Sequence, residues 1–176
     1  MQRSVRAWYF AGFYAIIIKN TVRSRCMTNR IEIISRNDAE RLIAGKPLDN
    51  TAIISFYDPP RGRLSDCEPL DYSQICDRVF MVEIHDIDIE VLPDFGLTFD
   101  DYFPEAYALA GFIKRAVSDG CDIICQCEYG QSRSAACAAA IREYYDRDGI
   151  KVFADYKYYP NQMIFNKLLN ALKISN

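Results

Sequence analysis

The chain has 176 residues, half of them apolar and 26% charged, with a net charge of −3 and a sequence pI of about 5.2. That length suits one domain with a sizeable core, and the acidic balance argues against a nucleic-acid partner. The seven cysteines match neither a disulfide framework nor a Cys-x2-Cys zinc pattern, so they read as reduced, mostly core filler, in a reducing, cytoplasmic setting.

Residues 1–29 place Arg3 and Arg6 before an apolar run over 7–18, with Lys19, Arg23 and Arg25 after it. The run is too short to cross a membrane, and no small-x-small cleavage site follows it. It is read as an N-terminal extension, or as the product of a start assigned ahead of Met27, and the domain is expected over 30–176. A membrane-surface anchor and an integral structural element are the alternatives; no membrane partner is expected.

Residues 31–34 alternate as a first strand. Asn37-Asp38 are expected to cap a short helix through Ile43, stopped by Gly45 and Pro47. Thr51 to Phe56 reads as a buried strand, 57–77 as loop, and Val79 to Ile84 as a third strand. Thr98 or Asp100 is expected to cap the next helix, with Pro104 in its first turn. Its expected apolar face is Phe103, Tyr107, Ala110, Phe112, Ile113 and Val117, with Ala106 and Ala108 allowing close packing. Gly120 ends it, and 121–126 is the central strand. A helix over 132–145 follows, then a turn over 146–151. A last amphipathic helix over 161–173 has a core stripe of Met163 or Ile164, then Leu168, Leu169 and Leu172.

The chemistry concentrates in residues 122–142, DIICQCEYGQSRSAACAAAIR. A β-branched strand enters a tight loop that opens an alanine-rich helix, so backbone N–H groups and the positive helix end converge on one point, an anion site. At its mouth stand the thiol of Cys127 and the guanidinium of Arg133. A cysteine at a helix N-terminus beside a fixed positive charge is expected to ionise readily and to act as a nucleophile. Arg133 can grip two oxygens of a tetrahedral anion. Gly130 permits the backbone angles that the loop needs, and Ser134 can donate to the Cys127 sulfur when it leaves. These residues describe phosphoryl transfer through a phosphocysteine. Cys125, two residues earlier on the same strand face, reads chiefly as a core cysteine, with a protective disulfide to Cys127 as the alternative.

The segment Cys127-Glu128-Tyr129-Gly130-Gln131-Ser132-Arg133-Ser134 resembles the Cys-x-x-Gly-x-Ser-Arg-Ser loop of the cysteine-dependent protein tyrosine phosphatase superfamily. Within it, the segment is most similar to the dual-specificity type and its small bacterial and phage relatives. The resemblance spans about residues 31–172, and only the loop is highly specific. It implies a phosphotyrosine protein phosphatase-like fold: α/β, with a central, mostly parallel sheet of four or five strands and helices on both faces. It implies Glu128 to Arg133 as the phosphate-binding loop. One departure is Gln126, where these phosphatases usually carry a His that orders the loop and tunes the thiolate.

The resemblance also places a general acid just after a strand, ahead of a long helix. Asp86 fits best and Asp88 second, with Asp94, Asp100 and Asp101 as later competitors. The expected activity is hydrolysis of a phosphate monoester, with a phosphotyrosyl protein or a small monoester as partner. Neither metal nor cofactor is implied. The alternatives are a phosphate-binding pseudophosphatase and another thiolate–oxyanion enzyme, such as an arsenate reductase. The loop carries no lysine, which disfavours highly charged head groups.

Overall fold

The computed structural model describes residues 30–60 and 68–174. The expectations for residues 1–29, and part of the loop expected over 57–77, lie outside the described residues. Four strands, β1 (Ile31–Ile34), β2 (Thr51–Tyr57), β3 (Val79–Glu83) and β4 (Asp122–Gln126), form one sheet in the order β1-β4-β2-β3. All three pairings are parallel. The chain is therefore α/β, as expected, with four strands in the described sheet. Because every strand runs the same way, the residues that follow them gather at one edge, where open parallel sheets hold their ligands.

Alternation along the strands divides the core. Ile54, Phe56, Val82, Ile123 and Cys125 face a large cluster with helices α2 (Ala106–Ser118), α3 (Arg133–Asp146) and α5 (Gln162–Ile174). On the opposite face, Ile53 and Ile124 pack with Ala39, Tyr72, Ile75 and Cys76. Ala39 belongs to α1 (Arg36–Ile43). Among the described residues, helices thus cover both faces, three on one and a single short one on the other.

The first nine residues of α3, Arg133 to Ile141, are all buried. Five are alanines, and their small side chains let the helix lie between the sheet and α5 without overpacking. In α5, both Met163 and Ile164 are buried, together with Leu168, Leu169 and Leu172.

Several local expectations are corrected. The N-cap of α1 is Ser35: its hydroxyl accepts from the Asp38 N–H, and the Asp38 side chain answers to the Ser35 backbone, a reciprocal capping box. Thr98 caps a turn, accepting from the Asp101 N–H at 3.3 Å, while α2 starts only at Ala106 behind Glu105. From that start the buried positions are Ala106, Leu109, Ala110, Ile113 and Ala116. Tyr107 and Ala108 fall on the outer face, and Tyr107 is 58% exposed. A 3-10 helix (Ile89–Phe95) and a short helix α4 (Ile150–Ala154) stand where loop and turn were expected.

Candidate active site

The strand ends set the geometry. Ile34, Gln126 and Ser55 are register partners across β1, β4 and β2, so β1 ends into Ser35 and β4 into Cys127 at one level, while β2, still paired with β3, runs two residues further before Asp58. The loop 127–132 folds back over the end of β1. The Arg36 N–H donates to the Glu128 carbonyl at 3.0 Å, and the Tyr159 N–H donates to the Gln131 carbonyl at 2.9 Å. Gly130 sits at φ 67°. A Cβ there would lie 2.7 Å from the Ser35 nitrogen and 2.8 Å from the Ile34 carbonyl carbon, so both backbone angle and space demand glycine.

The Cys127 sulfur and the Ser134 hydroxyl are 3.0 Å apart, within hydrogen-bond distance for sulfur. Ser134 is fully buried and Cys127 is 2% exposed. The sequence-predicted pair therefore meets, deeper in the fold than a surface nucleophile would be.

Arg133 is 3% exposed. Its Nη1 donates to Asp58 Oδ1 and to the Ile84 carbonyl, both at 2.8 Å, and its Nη2 reaches Asp58 Oδ2 at 3.4 Å. Its Nε is buried without a hydrogen-bond partner, 3.7 Å from Asp86 Oδ2. A buried guanidinium is tolerated only when paired, and Asp58 supplies the pair. An unpaired buried donor is costly, and this Nε–H has capacity for one more acceptor.

Asp86 stands at the same edge. Its Oδ1 accepts from the Ser132 hydroxyl at 2.7 Å and from Asn161 Nδ2 at 3.1 Å. Asn161 also donates to the Ile87 carbonyl at 3.0 Å, while its Oδ1 accepts from the Ile164 N–H at 3.0 Å. One buried amide thus caps α5 and holds the Asp86 loop. Tyr102 fastens the same loop, donating to the His85 carbonyl at 2.6 Å. Burial, with the Asp86 charge adding to it, pushes the Tyr102 phenol well up, which keeps it a neutral donor. Asp88 precedes the 3-10 helix and is exposed. Nothing joins Asp94, Asp100 or Asp101 to the loop among the hydrogen bonds of the described residues.

Behind the loop, Gln126 is buried in a hydroxyl network. Its Oε1 accepts from Ser55 at 2.6 Å and from Tyr72 at 3.1 Å. Burial raises the Tyr72 pKa. Gln126 therefore anchors the strand end through hydrogen bonds. Cys125 and Cys137 are both fully buried. Burial pushes the Cys137 thiol well up, with the Cys125 thiol beside it adding to the shift, and both cysteines belong to the same core cluster.

Sequence reasoning missed Asp58, Ser55, Tyr72 and the role of Asn161. Asp58 had a usable signal: a carboxylate directly after a buried strand, as Asp86 is a carboxylate three residues beyond the end of β3. Pro160-Asn161 was visible only as the entry to the last helix.

No family model matches the chain, and no curated protein matches it. Solved structures do overlap it. A leucine rich repeat and phosphatase domain containing protein from Entamoeba histolytica is 13% identical, with 85% of this chain and 92% of that one covered and a TM-score of 0.46. A human tyrosine phosphatase-like serine/threonine/tyrosine-interacting protein is 17% identical over 80% and 85%, TM-score 0.46. OH1 from the Orf virus, named a tyrosine phosphatase, is 13% identical over 84% and 82%, TM-score 0.44. These three are named as a phosphatase, a phosphatase-like protein or a protein containing a phosphatase domain. At these scores the overlap concerns the path of the chain and carries no weight for its chemistry.

Proposed function

We propose that this protein hydrolyses phosphate monoesters, phosphotyrosine above all, through a phosphocysteine formed on Cys127. The observation that carries the reading is the Cys127–Ser134 contact of 3.0 Å at the start of a helix whose first residue, Arg133, keeps a buried Nε–H without a hydrogen-bond partner. The Cys127 thiolate attacks phosphorus in line, and the S–P bond forms as the P–O bond to the leaving group breaks. Backbone N–H groups of residues 128–133 and the Arg133 guanidinium hold the equatorial oxygens by preorganised charge. Asp86 gives its proton to the leaving oxygen. Water then attacks phosphorus and returns a proton to Asp86, the S–P bond breaks, and inorganic phosphate departs. Ser134 donates to the sulfur as it regains its charge.

The enclosure of Cys127 supports a second reading, in which the loop binds a phosphorylated group without turning it over. Hydrolysis of para-nitrophenyl phosphate against pH separates the two, using wild type, Cys127→Ser, Asp86→Asn and Asp88→Asn. The enzyme reading expects turnover that Cys127→Ser abolishes, and a basic limb of the pH profile that the acid variant loses. Wild type without turnover, or Cys127→Ser with full turnover, overturns it. Wild-type profiles in both aspartate variants overturn the assignment of the acid.

A further inference from the structure

Beside the Cys127 loop runs an open groove of about 830 Å3. It joins the loop at Ser132 and Asp86, and the Tyr159 N–H bonded to the Gln131 carbonyl ties its far wall to the same loop. Its near wall carries Asp86, Asp88 and Glu90; its far wall carries Tyr158, Tyr159 and Phe99. Among the described residues, no Lys or Arg lines it. Arg133 Nε reaches the groove-lining Asp86 Oδ2 at 3.7 Å, and two lysines lie over rings of the far wall: Lys157 Nζ is 5.1 Å from the Tyr158 ring centre, and Lys167 Nζ is 4.8 Å from that of Phe99. The near wall also belongs to a long acidic stretch. Residues 79–113 hold eight Asp and Glu and no Lys or Arg.

A phosphoryl group seated on residues 127–133 would thus have an acidic, aromatic-walled channel next to it. A second phosphate in that channel would meet like charge. An arginine or lysine would meet carboxylates on one side and ring faces on the other, the pairing that recognises guanidinium and ammonium groups. We propose that the groove is the flanking-residue subsite of this protein, and that it selects polypeptides with a basic residue close to the phosphorylated one. The proposal rests on the reading of the Cys127 loop as a phosphate site. Glu90, in the 3-10 helix and clear of the reacting groups, is its specificity-determining residue.

The test uses binding as well as turnover. Phosphotyrosyl peptides differing only in Arg, Gln or Glu beside the phosphotyrosine are titrated against Cys127→Ser protein and against the same protein carrying Glu90→Lys. The expected result is binding roughly tenfold tighter for the Arg peptide than for the Glu peptide, with the order flattened or reversed by Glu90→Lys. Turnover of para-nitrophenyl phosphate by the single variant Glu90→Lys should equal that of wild type. Equal affinity for all peptides, no peptide binding, an order unmoved by Glu90→Lys, or tighter binding of vesicles carrying phosphoinositide overturns the proposal. Failure of para-nitrophenyl phosphate turnover in wild type would instead count against catalysis, leaving the peptide order to decide the groove.

Discussion

Asp58 and Arg133 lie 75 positions apart and meet at the carboxyl edge of the sheet, with Nη1 to Oδ1 at 2.8 Å and Nη2 to Oδ2 at 3.4 Å. The carboxylate follows β2 and the guanidinium opens α3, so the pair locks helix to sheet while leaving Nε free of hydrogen bonds. Asp58→Ala should release a buried cation from its main partner. The expected cost is about 2 kcal/mol, less than for a fully buried pair because the Asp58 side chain is 22% exposed. Activity should fall more than stability does, by about tenfold or more in kcat/KM, because Arg133 loses its orientation. Denaturant titration alongside kinetics checks both.

Gly130→Ala should damage the loop without touching any side chain of the site. The new Cβ would press on the backbone of Ile34 and Ser35, and alanine resists a φ of 67°. A loss of about 1–3 kcal/mol, with most of the activity gone, is the expected outcome in thermal unfolding and turnover assays.

Asn161→Ala should act on two elements at once. The α5 cap and the donor to Asp86 vanish together. Stability should fall by about 1–2 kcal/mol, and the basic limb of the pH–rate profile should move, since the carboxylate it steadies is the assigned acid. A purely structural role for Asn161 would lower stability and leave that limb in place.

Gln126→Leu should leave the Ser55 and Tyr72 hydroxyls without their shared acceptor in a buried layer. The cost should be about 2–3 kcal/mol, measured by chemical denaturation. Adding Ser55→Ala and Tyr72→Phe should recover part of it, because apolar partners leave nothing unsatisfied.

The α1 cap carries a pH signature. Hydrogen bonds from the Ser35 hydroxyl and backbone hold the Asp38 carboxyl below its usual pKa. A lowered folded pKa adds stability above the unfolded value, and that contribution is lost as pH falls through the folded one. Ser35→Ala should therefore destabilise the protein near neutrality and make less difference once acid has protonated the Asp38 carboxyl, below the usual carboxylate range. Paired melting curves across that range read it.

The parts of the site legible in the sequence are those that are close along the chain. Cys127, Gly130, Arg133 and Ser134 announce themselves because a strand, a loop and a helix start follow within a dozen residues, and local pattern records such a turn. The four strands were legible for a similar reason, each a short apolar or alternating run between breakers. Tyr107 was misplaced because the phase of α2 depends on where it starts. With Ala106 as its first residue, the inward positions are 106, 109, 110 and 113, and 107 is turned away. Pro93 hid the 3-10 helix. Asp58, Ser55, Tyr72 and Asn161 converge only through sheet order and helix packing, and no spacing between them in the sequence marks that meeting.

The most direct measurement is capture of the covalent intermediate. Protein mixed with excess para-nitrophenyl phosphate is quenched in acid within the first turnovers, and its peptides are mapped by mass spectrometry. The account predicts one phosphoryl group, on the Cys127 sulfur, increased in Asp86→Asn if hydrolysis of the intermediate is slowed more than its formation, and missing from Cys127→Ser. Turnover with the phosphoryl group on another side chain, or an unmodified Cys127 in a protein that also fails to hydrolyse the ester, would contradict it.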